Sequence, residues 1–180
     1  MGLECGGFHC LAVPGKADFV QEEVARLSGF PESKGFVQIL PAAIFVSERQ
    51  VFFALEQSVS AFASGSGISK KMGLDFLARF CGTPRISDAV SRIKFSSGAQ
   101  SVVAVMCLKN ADGESLALSF LSKNFGFAAS EKALPAEKAR LESAKKFYSV
   151  SGKELSGFSG MPEGRAMELL VLERIAMAGL

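Results

Sequence analysis

The chain has 180 residues, of which 48% are hydrophobic and 21% charged, and its formal net charge is +2. This length and composition are typical of one globular domain with its own core, and they exclude an intrinsically disordered chain. Because no run of about 18 consecutive apolar residues occurs, a transmembrane helix is excluded too. No signal peptide is recognisable, so we expect a cytoplasmic protein, also nuclear if its source is eukaryotic.

The amino-terminal half alternates between strand-like and helix-like runs. Short apolar runs bounded by Pro or Gly predict strands at 8–13, 36–40 and 43–46. Apolar residues at helical spacing predict amphipathic helices at 17–27 and 51–62. A flexible glycine loop follows the second of these helices.

The next segment has the signals of two helices joined by a tight turn. Ser69 is a suitable N-cap and Gly82 a suitable stop, which predicts a helix over 70–81. The Thr-Pro pair at 83–84 is typical of a cap followed by the first helical residue. It predicts a second helix that extends to residue 93.

The carboxyl-terminal half contains the strongest strand and three more helices. Residues 102–108 are all apolar, which predicts a central strand covered on both faces. Helices are predicted at 115–123, 135–147 and 163–178, with an exposed Gly- and Ser-rich connection at 149–162. The sequence therefore predicts an α/β fold, a single domain over residues 1–180 with a small mixed sheet covered by several helices.

Side chains suited to catalysis are scarce. His9 is the only histidine, and it lies in a predicted strand without a second histidine to share a metal or a proton. The four cysteines form no C-x-x-C pair and are interpreted as reduced thiols, two of them in the core. A catalytic thiol at Cys81 would lie at a helix C-terminus, where the helix dipole raises a thiol pKa. We therefore expect no enzyme, no metal, no cofactor and no small-molecule substrate.

Basic residues are concentrated in two segments. Residues 70–94 contain six basic side chains against two acidic ones, and residues 132–153 have the same balance. In the first segment Lys71, Asp75 and Arg79 follow at intervals of four, the spacing of a solvated ion-pair ladder. The remaining basic residues exceed their acidic neighbours, so the same two helices suit contact with a phosphate backbone. A DNA-reading helix-turn-helix fits this pattern as well.

The last helix is apolar over more than one face. Ten of the thirteen residues from Ala166 to Ala178 are apolar, about twice what one buried face of a surface helix needs. The surplus residues either lie deep in the core or cover a partner, and the sequence leaves both interpretations open. They include Leu172, Ile175, Met177 and the terminal Leu180.

Three stretches of the sequence resemble one protein family. They are QVFFALEQSV at 50–59, ISKKMGLDFLARFCGTPRISDAV at 68–90 and LERIAMAGL at 172–180. In these stretches the chain is similar to the kinase-binding subunit of the KEOPS (EKC) complex, the PRPK-binding or TPRKB family, and the best-matched regions are 43–108 and 166–180. The chain has Pro84-Arg85 in place of the family's Arg-Gln, and Lys94 in place of its usual glycine.

The resemblance implies a non-catalytic role in tRNA modification. KEOPS makes threonylcarbamoyl-adenosine in tRNA through its other subunits, whereas this subunit binds the single-stranded 3′ CCA end of tRNA. It also docks on and regulates the small atypical kinase/ATPase of the complex. The predicted tRNA-binding residues are Lys70, Lys71, Arg79 and Arg85, and the predicted partner-binding residues are Leu172, Ile175, Met177 and Leu180. The alternative hypothesis is a DNA-binding helix-turn-helix regulator.

Overall fold

The computed structural model of the protein describes residues 2–19, 29–95 and 98–179, apart from the side chain of Phe19. These residues pack into two compact units. Unit 1 comprises the segment up to Ala42 together with Ile93–Leu134, and unit 2 comprises Ala43–Arg92 together with the segment from Pro135. Neither unit is one continuous segment, in keeping with a sequence that has no recognisable linker.

Both strands and helices are present in the described residues. The strands are β1 (Gly2–Cys5), β2 (Phe8–Phe19), β3 (Gly35–Pro41), β4 (Gly98–Leu108) and β5 (Ala128–Ala129). The α-helices are α1 (Glu48–Ser64), α2 (Met72–Phe80), α3 (Ile86–Arg92), α4 (Gly113–Phe125), α5 (Glu137–Phe147), α6 (Gly152–Ser156) and α7 (Glu163–Met177). The predicted α/β class is confirmed.

The strands of unit 1 form one sheet in the order β1-β2-β4-β3, with β5 also paired to β2. Every described pair of neighbouring strands is antiparallel, so the sheet is antiparallel rather than mixed as predicted. The reason is that β4, which comes later in the chain, inserts between β2 and β3 and runs opposite to both.

The predicted central strand is confirmed in β4. All seven residues of Val102–Leu108 are 0% exposed, as expected of an apolar strand paired on both edges. On one face of the sheet, residues of β2, β3 and β4 form an apolar core with α4. Val37, Met106 and Leu121 are among its buried members.

β2 is longer than predicted, because Pro14 and the following glycine lie within it. The Pro14 carbonyl accepts a hydrogen bond from the Ser130 backbone N–H at 2.8 Å, on the side of β2 away from β4. The nitrogen and oxygen of one strand residue face the same neighbour, so the missing proline N–H removes no bond to β4. Residues 17–19 therefore continue the strand rather than begin the predicted helix, and residues 20–27 of that helix lie outside the described residues.

The predicted strand at 36–40 is confirmed in β3, whereas the one at 43–46 is wrong. Ala42–Ile44 form a 3-10 turn instead. The carbonyls that follow this turn need no neighbouring strand, because Arg140 donates hydrogen bonds to Phe45 at 2.7 Å and to Val46 at 3.4 Å. A long-range side chain therefore replaces the predicted strand pairing.

Unit 2 is helical in its described residues. α2 packs against α1, α3 and α7, and α7 also packs against α1, α5 and α6. α1 begins after Ser47, whose hydroxyl accepts a hydrogen bond from the Gln50 N–H, and it ends at Gly65 with φ 70°. These caps extend the helix at both ends beyond the predicted 51–62. The predictions of α4, α5 and α7 are confirmed with shifts of a few residues at their ends.

The predicted exposed connection at 149–162 contains the short helix α6. Ser151 and Glu154 form a capping box in which each side chain accepts a hydrogen bond from the backbone N–H of the other residue. Glu154 also forms an ion pair with Arg174 of α7. A local cap and packing against α7 thus form a helix in a segment whose composition indicates a loop.

Candidate nucleic-acid interface

The predicted basic segment begins in the turn that leads into α2. Ser69 is not the N-cap; its hydroxyl accepts a hydrogen bond from the Lys71 backbone N–H at 3.1 Å, and Lys71 is the residue before the helix. Consequently α2 begins at Met72, two residues later than predicted. Lys70 and Lys71 are both exposed in this turn.

Asp75 and Arg79 organise the interior behind that turn. Arg79 donates from Nε to Asp75 Oδ2 at 2.7 Å, and the two side chains are 5% and 0% exposed. The other carboxylate oxygen of Asp75 accepts a hydrogen bond from the Ile68 backbone N–H. The predicted solvated ladder is wrong for this pair, because α1, α3 and α7 surround α2.

Arg79 is therefore not on the surface that a ligand reaches, which corrects its place among the predicted tRNA-binding residues. Its guanidinium lies beside Gly179, in the turn after α7. It acts instead through Asp75, which holds the chain at Ile68 just before the two lysines. Arg79 is thus a positioning residue for the exposed turn.

The turn between α2 and α3 carries Arg85, which is exposed. Gly82 has φ 63°, and a Cβ at that position would lie 3.0 Å from Cβ of Arg174, so the turn packs closely on α7. Thr83 is buried, and its hydroxyl accepts a hydrogen bond from the Arg85 backbone N–H at 3.2 Å. α3 begins at Ile86, after this local cap, rather than at the predicted proline.

Lys70 and Lys71 lie at one end of α2, and Arg85 follows its other end. The lysines precede α2 and the arginine follows it, so a nine-residue helix separates them. A helix of that length extends about 13 Å. The exposed basic residues therefore occupy two separate positions, one at each end of α2.

Arg92, at the end of α3, has a structural role that sequence reasoning missed. It donates from Nη1 to the Cys81 carbonyl at 2.8 Å and from Nη2 to the Phe147 carbonyl at 3.2 Å. Its guanidinium carbon also lies 5.4 Å from the centroid of the Phe147 ring. Both acceptors are at helix ends, where unpaired carbonyls favour a cation. Arg92 thus joins the α2–α3 turn to α5, and no local pattern in the sequence indicates this.

A buried network of hydrogen bonds joins the end of α2 to the start of α1 through Tyr148. The Tyr148 hydroxyl donates to the Phe80 carbonyl at 2.7 Å and accepts from Gln50 Nε2 at 2.6 Å. Gln50 Oε1 in turn accepts from the Val46 N–H at 2.8 Å. Burial raises the pKa of Tyr148 well above its ordinary value, so the hydroxyl keeps its proton and its role as donor. The one sequence signal is that Tyr148 is the single tyrosine beside sixteen phenylalanines.

The residues predicted to bind a partner differ in exposure. Ile175 is 0% exposed and packs inside the chain, so its place among the partner-binding residues is corrected. Leu172 is half-buried and Met177 is 59% exposed. Leu180 lies outside the described residues. One side of α7 is therefore core, as the first interpretation has it, whereas the other side has apolar residues at the surface.

Three of the four cysteines are buried, one more than predicted. Burial raises the pKa of Cys81 from 9.0 to about 12, so the thiol is protonated at neutral pH. A nucleophilic or metal-binding cysteine must be a thiolate, and the burial of Cys81 outweighs the nearby positive charge of Arg92, which would favour one. Cys81 therefore has the character of a core residue.

His9 lies near the start of β2, where its Nδ1 is 2.8 Å from Glu4 Oε1 on β1. Across residues 2–19, 29–95 and 98–179, no three His, Cys, Asp or Glu side chains are grouped so that they could hold a metal ion. Over the same ranges, no helix has the length and apolar content needed to cross a membrane. No protein-family model and no curated protein matches the chain.

Proposed function

We propose that the protein is a non-catalytic subunit of a KEOPS-type tRNA modification complex. It binds the 3′ CCA end of tRNA and docks on the small kinase/ATPase, in the cytoplasm and without a cofactor of its own. The sequence resemblance over α1, α2, α3 and α7 supports this assignment. The structural observation that carries it is the buried Asp75–Arg79 ion pair of α2 together with exposed basic residues at both ends of that helix.

The interior of the helical pair of α2 and α3 is fixed independently of any ligand. The buried Asp75–Arg79 pair holds the turn before α2, and the Thr83 cap holds the turn after it. Lys70, Lys71 and Arg85 are exposed on these two turns. Because the backbone that carries the cations is already ordered, phosphate binding orders only their side chains.

A single-stranded end fits this surface better than a duplex does. The two basic positions lie about 13 Å apart along α2, a span suited to a few nucleotides of extended strand. Ile68, Met72 and Ile86 lie next to them and are half-buried, so part of each side chain is available at the surface. Unstacked bases bind such apolar surface beside a basic track, whereas paired bases are stacked within the duplex.

α3 is poorly suited to reading DNA, the alternative hypothesis. It has seven residues, and those exposed on it before Arg92 are Ser87, Asp88, Val90 and Ser91. This set includes a carboxylate and no basic side chain, although a recognition helix enters a groove lined by phosphates. The composition of α3 therefore favours an RNA end over a DNA operator.

The docking part of the proposal rests on the outer side of α7. Leu169 and Leu172 are half-buried, and Ala176 and Met177 are exposed. Leu169, Leu172 and Ala176 follow at intervals of three and four residues, which places them on one side of the helix, and Met177 is next to Ala176 at the helix end. We call these four residues the outer stripe of α7. The stripe contains four of the ten apolar residues at 166–178, and a surface of this width suits one helix of the kinase partner.

The test is tRNA binding by the parent and by a Lys71→Glu/Arg85→Glu variant, measured by fluorescence anisotropy across a salt series. We expect the parent to bind full-length tRNA more tightly than tRNA trimmed of CCA. The slope of log K against log salt is negative, and in the variant it should become shallower by roughly 0.7 for each phosphate that the protein no longer neutralises. Trimming CCA should then weaken binding by the variant little further.

The matched control is Lys34→Glu/Lys123→Glu, which makes the same change in net charge at exposed positions of unit 1. It should keep the preference for full-length tRNA. Equal affinity of the parent for the two tRNAs would contradict binding of the 3′ end. Tighter binding of the parent to duplex DNA would instead support the regulator hypothesis.

A further inference from the structure

Cys10 of β2 and Cys107 of β4 face each other in the middle of the sheet. They are directly opposite in the register of the two strands, although 97 residues separate them in sequence. The Cys10 thiol donates a hydrogen bond to Cys107 Sγ, and the two sulfur atoms are 3.5 Å apart. Both residues are 0% exposed. Two thiols this close need only a small approach of their sulfur atoms to become bonded.

The strand register gives this pair the backbone geometry of a cross-strand disulfide. Opposed residues of antiparallel strands alternate between hydrogen-bonded and non-hydrogen-bonded pairs. Pro14 is opposite Val103, has no N–H and directs its carbonyl to Ser130, so that pair is non-hydrogen-bonded with respect to β4. The cysteine pair lies four residues along β2 and is therefore of the same kind.

Non-hydrogen-bonded pairs have the closer side chains, with Cα atoms about 4.5 Å apart. Native disulfides join Cα atoms separated by about 4.4–6.8 Å. The two strands can therefore accept an S–S bond between these positions without a change of register.

We propose that Cys10 and Cys107 are an oxidation site, which forms a cross-strand disulfide on reaction with a low-molecular-weight disulfide such as oxidised glutathione. The thiolate of one cysteine attacks the S–S bond of the reagent, forms a mixed disulfide and releases one reduced thiol. The other cysteine then attacks the mixed disulfide and releases the second reduced thiol. The two cysteines together lose two protons and two electrons, and the reagent gains them.

The closed sheet protects the pair from this reaction. The hydrogen bond from Cys10, together with burial, raises the pKa of Cys107 well above its ordinary value and keeps the thiol protonated. β1, which pairs with β2 beside Cys10, is a four-residue edge strand with partly exposed residues. Opening such an edge costs less than global unfolding. In the folded protein, oxidation therefore depends on these local openings and is slow. While the sheet assembles, both thiols are accessible and oxidation is fast.

The experiment refolds the full chain from guanidinium chloride in a glutathione redox buffer, and in parallel with dithiothreitol. Remaining thiols are alkylated after the refolded protein is denatured at acidic pH and brought to the reagent in denaturant, and peptides are mapped by mass spectrometry without reduction. We expect one main disulfide, between Cys10 and Cys107, with Cys5 and Cys81 alkylated. Since a bond across so long a segment restricts the unfolded chain, the oxidised protein should melt roughly 5–15 °C above the reduced one.

Two variants separate this site from general thiol oxidation. Cys81→Ala should keep the disulfide and the rise in melting temperature, whereas Cys10→Ala should lose both. Adding dithiothreitol to the oxidised parent should return its melting temperature to the reduced value. A parent refolded in redox buffer with Cys10 and Cys107 still open to alkylation overturns the proposal, and so does a peptide map in which either is joined mainly to Cys5 or Cys81.

Discussion

Arg79 and Asp75 form an ion pair inside unit 2, with 2.7 Å between Nε and Oδ2 and no more than 5% of either side chain exposed. The same carboxylate also holds the backbone at Ile68. Its spacing in the sequence places Arg79 on a solvated surface, whereas in the structure Arg79 is buried below the exposed turn that carries Lys70 and Lys71. The arrangement makes the stability of unit 2 and the position of the exposed lysines depend on one buried contact.

Removing Arg79 should destabilise the protein strongly. We expect Arg79→Ala to lower the free energy of unfolding by about 3–5 kcal/mol, because Asp75 would be left as a buried charge without its partner. Thermal or urea unfolding followed by circular dichroism measures this, and Lys70→Ala, an exposed change, should stay within about 0.5 kcal/mol of the parent. A stable Arg79→Ala protein in which only tRNA affinity is reduced would show that Arg79 contacts the ligand directly.

The Tyr148 hydroxyl should contribute measurably to stability. We expect Tyr148→Phe to cost about 1–3 kcal/mol, because the Phe80 carbonyl and the Gln50 amide each lose a buried partner. Urea unfolding of both single variants and of a Gln50→Leu/Tyr148→Phe double variant gives their coupling. The double variant should lose less than the sum of the two single losses. Strict additivity would show that the two side chains act independently.

The two sides of α7 should respond differently to the same substitution. Ile175→Arg should unfold the free protein, since Ile175 is 0% exposed and an unpaired guanidinium in a core costs several kcal/mol. Met177→Arg, at a position 59% exposed, should keep the parental melting temperature and weaken co-purification with the kinase at least tenfold. Undiminished co-purification of Met177→Arg would exclude the outer stripe as the docking surface.

Cys81 should make stability fall in alkaline solution. Its pKa is about 12 in the folded protein against an ordinary 9.0, so above pH 9 the unfolded thiol loses its proton while the folded thiol keeps it. This stabilising contribution is complete below about pH 9 and is lost as the pH rises towards 12. Over that window, Cys81→Ala should lose stability less steeply than the parent, by up to about 1.4 kcal/mol per pH unit. Urea unfolding from pH 8 to pH 11 measures both slopes, and equal slopes would contradict a buried Cys81 thiol.

Local sequence patterns are sufficient for the elements whose signals lie within one or two turns of chain. The apolar run of β4 and the helical spacing in α1 each predict the correct element. Gly82 correctly indicates the end of α2, since a left-handed residue there depends on its immediate neighbours. The concentration of basic residues near α2 can be predicted in the same way, because the excess of basic over acidic side chains at 70–94 is visible in composition.

Other features depend on residues that meet only in the folded chain. Pro14 continues β2 because its missing donor faces away from β4, and the sequence does not reveal which neighbour a strand residue faces. Phe45 and Val46 resemble a strand, yet a distant arginine satisfies their carbonyls. In each case a hydrogen bond from a residue far along the chain, Ser130 or Arg140, satisfies the carbonyls, and the element formed differs from the one that the local pattern predicts.

The sequence by itself determined the α/β class, most helices, the central strand and the presence of excess positive charge. Tertiary structure alone decided that Arg79 is buried while Lys70 and Arg85 are exposed, that Ile175 is core while Met177 is surface, and that Cys10 meets Cys107. The physical reason is that hydrogen bonding and periodicity within an element act over a few residues. Which members of an element lose their water is decided by the elements packed around it, and these come from distant parts of the chain.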